Sequence, residues 1–316
     1  MAWVGLFIAG WIAAPGARAA DDLQRFTYSE VHMGMEARIT LYATSQAKAE
    51  EACIAAFKRI GELDAVMSDY RRDSELNLLC AKAGGEPVPV SADLFRVLER
   101  AQQIAERTNG AFDVTASPII RVWRAARREQ RMPDASALEQ ARKLVGWKMM
   151  RLDRRKRTVR LERAGMLLDL GGIAKGYACD EAQKVLKRHG VTRAMVEMGG
   201  DIVVTAPPPG TKGWTIRVPN AGDDSGPKDL LFAHQAISTS GDTEQFVVLN
   251  GVRYSHIVDP RTGWATKDRI QVTVVAKEGL LTDPLATVLT LLPEAERNAL
   301  LRRYSGVKVY LRTAKD

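Results

Sequence analysis

Met166 to Glu181 read MLLDLGGIAKGYACDE, an apolar run that ends at Asp169, turns through Gly171 and Gly172 and opens a helix carrying Lys175 in its first turns. Glycine lets the backbone approach a ligand closely. A helix N-terminus aims unpaired N–H groups and a partial positive charge at whatever lies there, and the lysine adds a full charge. That combination suits a phosphate or pyrophosphate. The stretch lacks the GKS/GKT of a P-loop and the GxGxxG of a dinucleotide loop, and an ordinary strand-to-helix turn would read the same way.

Two further places hold candidate chemistry. Asp283 and Thr287 are four apart beside the apolar residues Leu281, Leu285, Val288 and Leu289. On a helix that spacing puts a carboxylate and a hydroxyl on one face, two hard oxygens of the kind Mg2+ accepts along with water and phosphate. Asp283 before Pro284 also suits an N-cap with proline at N1, and taken alone the cap is the commoner reading. His256, one of four histidines, lies in the alternating run Tyr254-Ser255-His256-Ile257. Its titration near neutrality suits proton transfer, although a lone strand histidine is more often a bystander. Asp113 in Gly110-Ala111-Phe112-Asp113 by itself only initiates a turn.

The elements that must position these residues follow from periodicity. Phe26–Met33 and Glu36–Ala43 alternate as two strands, Ala47–Leu63 has helical spacing, and Ser91 caps a helix that ends near Asn109-Gly110. Arg121 to Arg131 reads as a helix with a solvated basic face, and Asp134–Val145 as a further helical segment. Trp147–Leu152 and Thr158–Glu162 form a hairpin across a basic turn. The second half is richer in strands: Ala194–Glu197, Ile202–Thr205, Trp214–Val218, His234–Ser238, Phe246–Leu249, Val252–Val258, Ile270–Ala276 and Val307–Leu311. Asn250-Gly251 marks a hairpin, and helices are expected from Pro284 and Glu294. Strands and helices do not alternate regularly. This indicates an α+β fold with mainly antiparallel sheets flanked by helices, not a doubly wound parallel sheet.

A hydrophobic fraction of 46% and a charged fraction of 27% over 316 residues are those of a globular protein able to bury a large core. The net charge of +8 is concentrated in two basic runs, Arg121–Arg131 and Arg151–Arg157, without interleaved aromatics, so nucleic-acid binding is not expected. Cys53, Cys80 and Cys179 are far apart, with no CxxC spacing for a metal or redox site. Residues 1–20, MAWVGLFIAGWIAAPGARAA, combine an apolar run, a Pro-Gly break and an A-x-A pattern. They read as a cleaved signal peptide lacking the usual basic n-region, with a single domain spanning 21–316. No cysteine lies near the cleavage site, so a soluble periplasmic protein is expected, not a lipoprotein.

Phe112-Asp113 in GAFDVT, LDLGGIAKGY, EMGGD, STSGD (Ser238 to Asp242), YSHIVDP and DPLAT (Asp283 to Thr287) follow one another in order. Together they resemble the ApbE family of FAD:protein FMN transferases, over nearly the whole chain from Phe26. The resemblance implies an ApbE-like, T-fold-like single catalytic domain. It further implies an Mg2+-dependent enzyme that takes FAD as donor, attaches FMN through a phosphoester to a Ser or Thr of an acceptor protein and releases AMP. The family's acceptors suggest a membrane electron-transport subunit as partner. By the same resemblance Gly172, Asp283 and Thr287 hold Mg2+, His256 is catalytic, and Met33, Tyr70, Ala111, Phe112, Asp113, Asp169, Lys175 and Ile257 line the FAD site. Two positions depart from the family pattern: Pro284 replaces Ala, and Cys80 stands where the family commonly has Asn, six residues after Ser74. The alternative is a periplasmic FAD-binding or storage protein, or an FAD pyrophosphatase.

Overall fold

The computed structural model describes residues 23–219, 221, 226–241 and 246–313. The expected signal segment and Asp242 lie outside these residues. The chain opens with β1 (Gln24–His32) and β2 (Met35–Ala43), joined at Met33-Gly34. Both linking residues have positive φ, 50° and 74°, the geometry of the tight turns that match strand twist. Ser45 caps α1 (Gln46–Met67), whose buried stripe includes Ala52, Ala56, Ile60 and Leu63. Ser74 caps the short α2 (Glu75–Cys80), followed by β3 (Val88–Pro89) and by α3 (Ala92–Arg107) behind its Ser91 cap.

A 3-10 turn at Val114–Ala116 leads into α4 (Ser117–Glu129), and Asp134 caps α5 (Ala135–Arg142). The basic hairpin pairs β4 (Met150–Asp153) with β5 (Thr158–Leu161). Its expected first residues, Trp147–Met149, form a 3-10 turn instead. Then come α6 (Ala174–Arg188), β6 (Ala194–Met198), β7 (Asp201–Val204), β8 (Trp214–Val218), β9 (Lys228–Phe232) and β10 (Gln235–Gly241). The hairpin β11 (Phe246–Leu249) and β12 (Val252–Ser255) turns at Asn250-Gly251, and β13 (Ile270–Ala276), α7 (Gly279–Leu291), α8 (Glu294–Leu301) and β14 (Lys308–Thr313) complete the fold.

Seven strands form one sheet in the order β1-β2-β6-β7-β10-β13-β14, and every pairing among the described residues is antiparallel. On one face α6 packs on β6 and β7, α7 on β10 and β13, and α1 on α6. The other face is covered by the β8–β9 hairpin, where Trp214, Ile216 and Phe232 meet Val204, Ile237 and Val275. A third cluster joins α4 and α5 to the β11–β12 hairpin through Trp123, Leu138, Val247 and Tyr254. All three cysteines are buried and free. Among the described residues no helix is long and apolar enough to cross a membrane.

The start of α7 differs from expectation. It begins at Gly279, so Pro284 lies inside the helix and Asp283 does not cap it. The cap comes from α6, where the Asp180 carboxylate accepts from the Gly279 and Leu280 N–H groups at 2.8 and 2.9 Å. Proline has no N–H for the helix ladder, yet these long-range bonds satisfy the first turn.

Candidate active site

The glycine block places its charges as a small buried cluster. The Lys175 ammonium donates to the Gly171 carbonyl at 2.7 Å and lies 3.2 Å from Asp201 Oδ2 and 3.5 Å from Asp283 Oδ2. Burial alone would depress its pKa. The carboxylates of Asp201 and Asp283 outweigh that and hold it above the ordinary lysine range. Asp283 is also pushed up, above the usual carboxylate range, by burial and then by the Asp201 charge, with Lys175 opposing. Its Oδ2 also accepts from the Gly176 N–H at 3.1 Å.

This proximity depends on two glycines. A Cβ on Gly176 would lie 2.2 Å from the Gly279 carbonyl oxygen and 2.9 Å from the Asp283 Cβ, so α6 and α7 touch backbone to backbone. One turn beyond Asp283, the Thr287 hydroxyl stands beside the glycine turn, 3.3 Å from where a Gly172 Cβ would be. Phe112 closes that contact at 3.5 Å. Gly172, Asp283 and Thr287 are therefore neighbours, and they offer only oxygen donors. The described residues contain no group of three or more His, Cys, Asp or Glu side chains arranged for a metal. The donor set is a buried carboxylate, a hydroxyl and backbone carbonyls, which fits Mg2+ with its preference for few carboxylates, water and phosphate oxygens.

Asp169 braces the turn from the other side. One carboxylate oxygen accepts from the Gly171 N–H at 2.8 Å and the other from Arg124 at 2.7 Å. Burial and the neighbouring Asp69 push its pKa up, opposed by Arg124. Asp113 has a more local task. It accepts from the Thr115 N–H and hydroxyl and from the Trp147 N–H, at 2.7 to 2.8 Å. Both its oxygens are thus engaged by protein donors, the turn-forming part that the residue type alone suggests. The adjoining Val114 carbonyl accepts from the Asp169 N–H at 2.8 Å, tying Ala111, Phe112 and Asp113 to the glycine block. Ala111 and Phe112 are buried.

Met33 occupies the β1–β2 turn, and Met35 packs on Gly199, whose added Cβ would also lie 3.8 Å from the Lys175 side chain. Tyr70 is 78% exposed, with the Arg124 guanidinium 5.1 Å from its ring centre. Asn77 holds the loop before it, donating to the carbonyls of Ser68, Asp69 and Arg71. Cys80 is a buried support: its sulfur accepts from the Leu168 N–H at 3.3 Å, and burial pushes the thiol up to about 11.

His256 and Ile257 are positioned by a different core. β12 ends at Ser255, so His256 follows the strand instead of sitting within it. The backbone on each side is pinned: the Ser255 N–H donates to the Thr266 carbonyl and the Thr266 N–H to the Ile257 carbonyl, at 2.8 and 3.0 Å. Ile257 is buried and its N–H donates to Ser255 Oγ. Trp123 of α4 packs on Tyr254 with ring centres 5.3 Å apart and donates to the Gly263 carbonyl at 2.9 Å, fixing this segment to α4.

Two residues of this constellation carry no signal strong enough to single them out by type. Asp201 was visible only as the end of Glu197-Met-Gly-Gly-Asp201, and Arg124 as one of several arginines in a basic run. Their partners are remote in sequence.

Comparison with known proteins gives one consistent result. The model of the ApbE family matches residues 33–311. An FAD:protein FMN transferase of Treponema pallidum is 31% identical over 314 residues, covering 94% of this chain and 86% of its own. A second, from Vibrio cholerae, is 31% identical over 260 residues, covering 81% and 77%. Among solved structures, the flavin transferase ApbE from Vibrio cholerae superposes with a TM-score of 0.83 at 28% identity, covering 93% of this chain and 95% of its own. The apo form of the Pseudomonas stutzeri flavinyl transferase ApbE gives 0.81 at 27% identity, covering 93% and 92%.

Proposed function

The chain belongs to the ApbE family and is a flavin transferase, and from that premise we propose that it moves FMN from FAD to a Ser or Thr hydroxyl of an acceptor protein, releasing AMP. The observation that carries this reading is the buried cluster of Lys175, Asp201, Asp283 and the Gly171–Gly172 turn, with Thr287 alongside. It joins one ammonium to several oxygen donors at a helix start, where a pyrophosphate would be received.

In this reading the acceptor hydroxyl attacks the phosphorus on the flavin side of the pyrophosphate. A new P–O bond to the acceptor forms, the anhydride bond to the AMP phosphate breaks, and AMP leaves with the electron pair. His256 takes the hydroxyl proton, a role suited to imidazole. Lys175 faces the bridging and terminal oxygens, where developing charge is stabilised electrostatically. Gly172, through its carbonyl, Asp283 and Thr287 would hold Mg2+, which when bound offsets charge on the phosphate oxygens. Ala111, Phe112, Asp113, Asp169, Tyr70, Met33 and Ile257 line or brace the flavin-nucleotide site. A membrane electron-transport subunit is the proposed acceptor, and the periplasm the proposed location, on the strength of residues 1–20.

The test mixes the mature protein with FAD, a candidate acceptor and either Mg2+ or a chelator, following AMP release and flavin fluorescence on a denaturing gel. Both signals should require Mg2+ and vanish in Asp283→Ala. Full activity of folded Asp283→Ala would overturn the metal assignment.

A further inference from the structure

Within the basic run of α4, Arg121, Arg128 and Glu129 are exposed, as a solvated face requires. Arg124 leaves that pattern. One guanidinium nitrogen lies 2.5 Å from Asp69 Oδ2 and the other 2.7 Å from Asp169 Oδ2. The two carboxylates are 12% and 8% exposed as side chains, so both have been largely removed from water. Asp69 follows α1 and Asp169 precedes α6, and their like charges repel unless a cation stands between them. The planar fork of arginine presents separate nitrogens to the two carboxylates in a fixed geometry, which the rotating ammonium of lysine does not.

The chain of contacts runs on toward the reacting groups. Arg124 holds one oxygen of Asp169, the other oxygen holds the Gly171 N–H, and the Gly171 carbonyl holds Lys175. On its other side the guanidinium lies over the ring of Tyr70, which remains largely exposed.

We propose that Arg124 is a positioning residue for the flavin nucleotide: by bridging Asp69 and Asp169 it fixes the glycine turn and the Tyr70 loop in the arrangement that receives FAD. This inference rests on the FAD-site reading above. Arg124 acts through other groups and touches no reacting atom. Its loss should therefore weaken FAD binding more than it slows turnover at saturating FAD.

The experiment measures FAD affinity by flavin fluorescence, and kcat and KM for FAD, in wild type, Arg124→Gln, Asp69→Asn and the double variant Asp69→Asn/Arg124→Gln. In Arg124→Gln the FAD dissociation constant should rise about ten- to a hundredfold, since the variant leaves buried charge uncompensated, with kcat falling by a smaller factor. Asp69→Asn should cost part of that affinity, because half of the bridge is lost while Asp169 keeps its partner. The double variant should be no weaker than Arg124→Gln, because Asp69 acts through Arg124. Unchanged affinity in Arg124→Gln, or a folded double variant whose two losses simply add, would overturn the proposal; the latter would show that Asp69 and Arg124 act independently. If Arg124→Gln does not fold, Asp69→Asn decides, and unchanged FAD affinity there would overturn the proposal. Failure of the wild-type protein to bind FAD would instead overturn the flavin-site reading itself.

Discussion

Replacing Gly176 by alanine separates two effects of opposite sign. In a helix interior alanine is favoured over glycine by about 1 kcal/mol, so propensity alone makes Gly176→Ala stabilising. The packing says otherwise. The new Cβ would lie 2.2 Å from the Gly279 carbonyl oxygen and 2.9 Å from the Asp283 Cβ, both backbone or near-backbone atoms that cannot swing aside. Reaching ordinary contact at 3.4 Å requires α7 to retreat by about 1.2 Å. Overpacking of this kind costs about 1–3 kcal/mol, sometimes more. The net is a loss of roughly 0–2 kcal/mol, a fall of up to a few degrees in Tm.

The functional loss should be larger than the stability loss. The retreat carries Asp283 away from the Gly176 N–H and Lys175, now 3.1 and 3.5 Å distant, and Thr287 away from Gly172. A displacement of about 1 Å in a reacting constellation costs on the order of a hundredfold in rate. The assay is AMP release at saturating FAD and acceptor, with a thermal melt on the same sample and a Mg2+ titration. Gly279→Ala, whose Cβ would meet the Gly176 carbonyl oxygen at 2.2 Å, should behave alike. A Gly176→Ala protein with raised Tm and unimpaired turnover would show that α6 and α7 are not locked together at Gly176 and Gly279.

Three further outcomes are expected. His256→Ala should keep FAD affinity and lose roughly 10²–10⁴-fold in turnover; weakened binding with a normal rate at saturating FAD would make the histidine a contact, not a base. Lys175→Ala should raise the FAD dissociation constant yet leave binding of riboflavin, which lacks phosphates, unchanged, and equal losses for both would show that the lysine serves the fold. Asp180, pushed up to about 6 mainly by burial, has a folded pKa above its unfolded value near 3.9. Its contribution to stability is thus complete below about pH 3.9 and is lost as pH rises through 6. Melts from about pH 4 to 7 should show Asp180→Asn gaining on wild type as pH rises, and a constant difference would contradict the assigned shift.

The parts of the fold legible in the sequence are those whose determinants are local. Ser91 and Asp134 cap helices within hydrogen-bond reach of the residues that follow them, and Asn250-Gly251 supplies the two positive-φ residues that its hairpin needs. Where a determinant is remote, the reading shifts. Pro284 suggested a helix start, but α7 is capped by Asp180, which lies about a hundred residues earlier. Val258 reads as the end of a strand from Val252 because it shares the parity of Tyr254 and His256, yet it forms an isolated bridge to Ala265 after β12 has ended. Two-residue β3 is too short to carry a period.

The candidate site divides in the same way. LDLGG and Lys175 declare themselves by glycine, charge and position before a helix. Asp283 and Thr287 share a face because four residues make about one helical turn. Asp201 reaches Lys175 only because β6 and β7 turn at Gly199-Gly200 beside α6, and Arg124 reaches Asp69 and Asp169 only once α4 is docked. No spacing within the chain encodes those meetings.

The central claim, transfer of FMN to protein, is tested most directly by the intact mass of an acceptor incubated with the enzyme, FAD and Mg2+, read alongside AMP. The expected result is one FMN phosphoester per modified acceptor, AMP in equal amount, and loss of both when the acceptor's Ser or Thr is replaced by alanine. Free FMN with AMP and an acceptor of unchanged mass would contradict it and make the protein an FAD pyrophosphatase.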